Sequence, residues 1–134
     1  MNLKGVDGLR DRLNAAAHST RPMAASWGNQ YVQVARPQIP FRTGKTRQSV
    51  QRSEVTDHGA EIVGSQVAVM IDTGTSPHAI GGGLAFTMNG QAVFARKVNH
   101  PGMRARPYRV RAAQEAMRRT DFRGVLVDAW NRAD

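Results

Sequence analysis

Leu3, Val6, Leu9, Leu13 and Ala16 or Ala17 recur at intervals of three and four, with Arg10, Asp11, Arg12 and Asn14 between them, which predicts an amphipathic helix. Met23, Trp27, Tyr31 and Val34 repeat that spacing and predict a second helix. Ser19 or Thr20 caps it, Pro22 lies in its first turn and Arg36-Pro37 ends it. Trp27 and Tyr31 fall on its core face. Gly28 interrupts the pattern at a cost of about 1 kcal/mol relative to alanine, so a kink or a close approach is expected there. Pro37 to Pro40 must be extended, and Thr43 then caps a short helix running to about Gln51.

Beyond this point the period shortens. Ser53 to Thr56 and Ala60 to Gly64 alternate around the turn residues Asp57-His58-Gly59, which predicts a hairpin. Gln66 to Asp72, rich in small and β-branched residues, reads as a third strand ended by Thr73-Gly74-Thr75-Ser76-Pro77. Leu84 to Met88 and Ala92 to Val98 pair across Asn89-Gly90, the strongest short hairpin signal in the chain. Gly81-Gly82-Gly83 reads as a flexible loop that orders against a neighbouring subunit. Pro101-Gly102 is a turn, and Pro107 suits the start of a helix near Arg106 to Tyr108. Tyr108, Ala112, Glu115 or Ala116 and Arg119 form one stripe of that helix, and Val110, Ala113 and Met117 a second. Thr120-Asp121 caps a last segment with Phe122, Val125 or Leu126, and Ala129 or Trp130 at helical spacing, weakened by Gly124.

The fold class expected is α+β: an antiparallel sheet of about four to five strands, with N-terminal helices and a C-terminal helix packed mostly on one face. A chain of 134 residues fits one domain, comprising N-terminal helices (1–36), a sheet (52–98) and a basic C-terminal helical region (104–133).

Charge sharpens this picture. From Arg96 to Arg132 ten basic residues stand against three acidic ones, so that stretch holds +7 of the net +9. Such asymmetry favours a polyanion or an acidic protein neighbour. The absence of cysteine removes disulfides and thiolate metal sites and suits a cytoplasmic origin. No stretch approaches the roughly 20 apolar residues of a membrane span, and the N-terminus carries no signal-like apolar core.

Catalytic chemistry finds little support. Thr43-Gly44-Lys45-Thr46 ends like a phosphate-binding loop, but the glycine required five residues earlier is Ile39, and prolines replace the leading strand. His18, His58, His78 and His100 show no pair at metal-ligand spacing. His100 with Asp72 or Asp57 could form a general base, yet no nucleophile motif accompanies them. A nuclease would need clustered carboxylates for metal ions, and the ten here are scattered. The expectation is a protein that is not an enzyme and carries no cofactor.

His100-Pro-Gly-Met-Arg-Ala-Arg-Pro-Tyr108, followed by an alanine-rich helix, resembles the closing motif of the head-tail joining proteins of long-tailed double-stranded DNA bacteriophages. These are also called neck, tail-completion or head-tail connector proteins. Pro40-Phe-Arg-Thr-Gly-Lys-Thr-Arg-Gln-Ser49 and Val67-Ala-Val-Met-Ile-Asp-Thr-Gly-Thr-Ser-Pro-His78 resemble further segments of that family in the correct order. The family usually has an aromatic residue and a glutamate where this chain has Met70 and Asp72, and phenylalanine where it has Tyr108.

The resemblance implies a structural virion protein of the neck. Its subunits form a ring, of six to match tail symmetry, that joins the DNA-filled head to the tail tube. Implied partners are other copies of the chain, the adaptor, stopper, tail-terminator or tail-tube proteins, and genomic DNA held non-specifically in the channel, with no membrane. The implied location is the virion, after assembly in the host cytoplasm. Arg104, Arg106, Arg109 and Arg111 become candidates for docking an acidic neighbour or lining the DNA channel. The stretch from Thr75 to Gly90, with Thr75, Ser76, His78, Gly81, Gly82, Gly83 and Asn89, and the N-terminal helix become candidates for contacts between subunits or rings. The alternatives are the stopper or tail-terminator role in the same neck, and a free, sequence-independent nucleic-acid-binding protein using the same arginines.

Overall fold

A computed structural model of the chain describes residues 5–18 and 20–132. Its elements run α1 (Val6–Ala17), α2 (Thr20–Gln38), α3 (Lys45–Ser49), β1 (Gln51–Thr56), β2 (Gly59–Val63), α4 (Gln66–Thr73), β3 (His78–Met88), β4 (Gln91–His100), α5 (Arg109–Arg119) and α6 (Phe122–Asn131). The fold is α+β. Its described strands form two separate antiparallel pairs, β1 with β2 and β3 with β4, rather than one sheet of four to five strands.

The two N-terminal helices stand where the three-four spacing places them, although Leu3 and Ser19 lie outside the described residues. Helix α2 is the spine: it packs against α5 on one side and against both strands of the β1–β2 hairpin on another. Tyr31, Val34 and Ala35 of α2 join Ile39, Val50, Ala68, Ile71, Tyr108, Ala112 and Ala116 in one core. Ala35, Ala112 and Ala116 are fully buried, and side chains this small let α2 and α5 approach closely. Gly28 is a close-approach position, since a Cβ there would lie 2.9 Å from Ala60 Cβ and 2.9 Å from Arg52 Cδ. Proline does not stop α2 at once; Pro37 sits in its final turn. The exit is held by Arg47, whose Nε donates to the Ile39 carbonyl (2.6 Å), and by Arg36, whose Nε donates to the Val50 carbonyl (3.0 Å). The short helix expected from Thr43 is α3, but Gly44 rather than Thr43 holds the cap position.

Two expectations are corrected. Gln66 to Asp72 is helix α4, not a strand. Its run of apolar residues carries no clear period, and tertiary contacts outweigh β-propensity. Ser65 caps the helix by accepting the Ala68 N–H. Ala68 and Ile71, three apart, are buried, while Val67 and Val69 are exposed. Gly81-Gly82-Gly83 is not a loop but part of β3, where the register slips between Gly81 and Leu84 as in a β-bulge. The segment from Thr75 to Gly90 is thus mostly the first strand of a long ribbon, closed by a tight turn. Asn89 (φ 51°) and Gly90 (φ 78°) take the two positive φ values that such a turn requires.

The C-terminal helices follow the sequence. Helix α5 starts two residues after Pro107, with Tyr108 at its cap position. The Tyr108, Ala112, Ala116 stripe is buried, whereas Val110 and Met117 of the second stripe are exposed. Asp121 caps α6 by accepting the Gly124 N–H at 2.8 Å, so Gly124 serves the helix start. Helix α6 packs on α1, with the Arg12 guanidinium 6.0 Å from the Trp130 ring centre. Among the described residues no helix is long and apolar enough to cross a membrane.

Candidate functional site

Three segments far apart in sequence, 40–49, 67–78 and 100–108, meet at one place. Helix α4 ends at Thr73 with Gly74 at its C-cap, and the chain then runs antiparallel to the stretch before α5. Thr75 N–H donates to Met103 (2.9 Å), Met103 N–H donates back to Thr75 (3.0 Å), and Arg106 N–H donates to Ile71 (2.7 Å). Glycine is required on both sides. A Cβ on Gly102 (φ 81°) would lie 2.2 Å from the Thr75 carbonyl oxygen, and one on Gly74 would lie 2.7 Å from both Ala105 N and Met103 O.

Asp72 locks this junction onto α5. One carboxylate oxygen accepts the N–H groups of Tyr108 (2.8 Å) and Arg109 (2.9 Å), and the other accepts Arg109 Nε at 2.8 Å. The carboxylate thus supplies the first-turn partners that α5 otherwise lacks, at the positive end of its dipole. Only 13% of the Asp72 side chain is exposed. Burial pushes its pKa up, but the two backbone N–H groups and the Arg109 guanidinium outweigh this and hold it below the ordinary carboxylate value. The same contact raises the pKa of Arg109. Tyr108 points inward, and its hydroxyl donates to the Ala68 carbonyl at 3.2 Å. Burial, with Tyr108 and Asp72 nearby, pushes Tyr31 up to about 12.

The four arginines expected to act together are therefore divided. Arg109 is tied to Asp72, and Arg111 donates to the Pro107 carbonyl, so both belong to the helix start. Arg104 and Arg106 are exposed, with no side-chain ion pair among the described residues. Arg106 and Arg42 both line a groove of about 630 Å³, whose walls include Thr43, Thr46, Val67 and Met103. Arg42 and Thr46 are groove residues that charge counting alone did not reveal, because the turn after α2 brings them to Arg106. Two arginines, two hydroxyls and an apolar floor suit a carboxylate-bearing polypeptide surface or a phosphate.

The ribbon β3–β4 rises from the other end of the junction. At its root the His78 and His100 rings lie 5.1 Å apart, His78 Nδ1 sits 2.9 Å from the Ser76 carbonyl, and His100 Nδ1 accepts the Gly102 N–H. Among the described residues His100 makes no ion pair with Asp72, whose oxygens are taken up by α5, or with Asp57. Among the described residues, neither strand beyond the root packs appreciably on another helix or strand. Phe94 is 81% exposed, Met88 57% and Phe86 39%. Thr75 and Ser76 belong to the junction, and His78, Gly81, Gly82, Gly83 and Asn89 to this arm. Among the described residues no group of three or more His, Asp or Glu is placed to hold a metal ion.

Comparison of the chain with protein-family models, with curated proteins and with solved structures returns no match.

Proposed function

We propose that the chain is a structural assembly protein of the neck of a long-tailed phage, forming a ring that joins the head to the tail tube. The observation that carries this reading is the β3–β4 arm. A two-stranded ribbon standing alone is at best marginally stable in water, and this one exposes Phe94, Met88 and part of Phe86, with no other helix or strand of the described residues packed appreciably on it. Such an arm finds its packing on another chain. Ring subunits need this, because a closed ring is built from heterologous contacts between two different surfaces of the same protein.

Two further observations support the reading. The segments that resemble the neck family, far apart in sequence, converge on one junction and one groove. The groove between Arg42 and Arg106 is the docking place for an acidic face of an adjoining neck protein, the adaptor, stopper, tail-terminator or tail-tube component. Arg104 and Arg106 can also face channel DNA, touching phosphate without reading sequence.

Native mass, measured alongside salt-dependent binding to random duplex DNA, tests the proposal. A ring, six-fold on the symmetry argument, with weak DNA binding is the expected result. A persistent monomer that binds DNA tightly at low salt and releases it steeply as salt rises would instead identify a free nucleic-acid-binding protein.

A further inference from the structure

Resting on the ring reading, we infer that the arm of each subunit docks on the β1–β2 hairpin of the next copy, so that the two ribbons complete one sheet across the subunit boundary. The hairpin offers what the arm lacks. Both are two-stranded, so each presents unpaired outer edges that can accept a further strand. One face of β1–β2 is covered by α2, leaving the other open.

Their charges are complementary. From His78 to His100 the arm carries Arg96 and Lys97 and no carboxylate. From Gln51 to Val63 the hairpin carries Glu54, Asp57 and Glu61 against one arginine, Arg52. That arginine is turned toward α2, where its guanidinium donates to the Ala25 carbonyl at 3.3 Å and its stem passes Gly28. The three carboxylates are exposed and have no ion-pair partner among the described residues. Most other carboxylates of the chain are engaged, Asp7 with Arg10, Asp72 with Arg109, Glu115 with Arg118 and Arg119, and Asp128 with Arg132. Shape agrees with charge. The bulge leaves a hollow of about 460 Å³ bordered by Leu84, Phe94 and Arg96, and Val63 is an exposed apolar residue on the hairpin that can enter it. The basic arm is not suited to the Arg42–Arg106 groove, where like charges would meet, so that groove stays open for a different neighbour.

Charge reversal in two halves tests the contact. The arm variant Arg96→Glu with Lys97→Glu and the hairpin variant Glu54→Lys with Glu61→Lys alter exposed side chains only, and circular dichroism checks that each is folded. Each variant alone should lose the ring and sediment mainly as a monomer. Mixed one to one, they should recover it, because every arm then meets a hairpin of opposite charge in an alternating ring. Rings formed by both variants alone would overturn the contact while leaving the ring standing. Loss of the ring in each without recovery on mixing would also overturn it. A wild-type chain that is monomeric at every concentration would overturn the ring reading itself.

Discussion

The junction and the arm adjoin in the chain, at Ser76–His78 and His100–Gly102, yet they satisfy their needs in opposite ways. At the junction nearly every polar group used has a partner within the subunit: Asp72 takes three donors, and Thr75 and Met103 exchange backbone bonds. The arm closes its own ladder, and among the described residues no other helix or strand packs appreciably on it. A dense network reports what a subunit needs in order to fold. An uncovered ribbon is where we place the contact with another copy. The arginines divide along the same line, Arg109 and Arg111 serving the helix start while Arg104 and Arg106 face outward.

Substitutions should separate the two regions by their effect on the isolated subunit. The largest loss is expected from Gly102→Val, which combines a positive φ with backbone contact in the tightest part of the junction. A cost of about 3 kcal/mol or more, read as a melting temperature lower by roughly 10 °C or more, is the expected outcome. Asp72→Asn comes next, removing a charged acceptor from two N–H groups and a guanidinium, at about 1–3 kcal/mol near neutral pH. Because the native pKa of Asp72 is depressed, its contribution is fully present above the ordinary value of 3.8 and is lost as pH falls through the native value. Denaturation curves of wild type and Asp72→Asn should therefore lie apart at neutral pH and converge in acid.

Pro107→Ala should cost less, within about 1 kcal/mol, since Pro107 is exposed and lies before the first turn of α5. The smallest change belongs to the arm. Phe94→Ser should alter the unfolding free energy of the monomer by no more than about 0.5 kcal/mol while weakening self-association. A large loss of monomer stability from Phe94→Ser would break the comparison.

Local chemistry made much of this legible in advance. The helices α1, α2, α5 and α6 follow from apolar spacing and caps, and the β3–β4 turn from Asn89-Gly90. Helix α4 escaped because an almost unbroken apolar run fits either period, and the decision rests with Ser65 as cap and Tyr108 as tertiary partner. The bulge at Gly81 to Leu84 escaped because three glycines read as a loop whenever the pairing strand is out of view. The patch of four arginines was visible as charge, but its division was not, since that depends on Asp72 lying 37 residues before Arg109 in sequence and 2.8 Å away in space. The groove needed Arg42 and Arg106 brought together by the core beneath them, which sequence spacing does not encode.

The central claim is that the arm is covered by another copy of the chain. Backbone hydrogen exchange, followed at a concentration where the protein is assembled and at one where it is dilute, addresses it most directly. Assembly should slow exchange at the β3–β4 arm and the outer edges of β1–β2 together, with the Thr75–Met103 pair and the first turn of α5 changing little. Equal exchange of the arm in both states, or protection confined to α1 and α6, would contradict it.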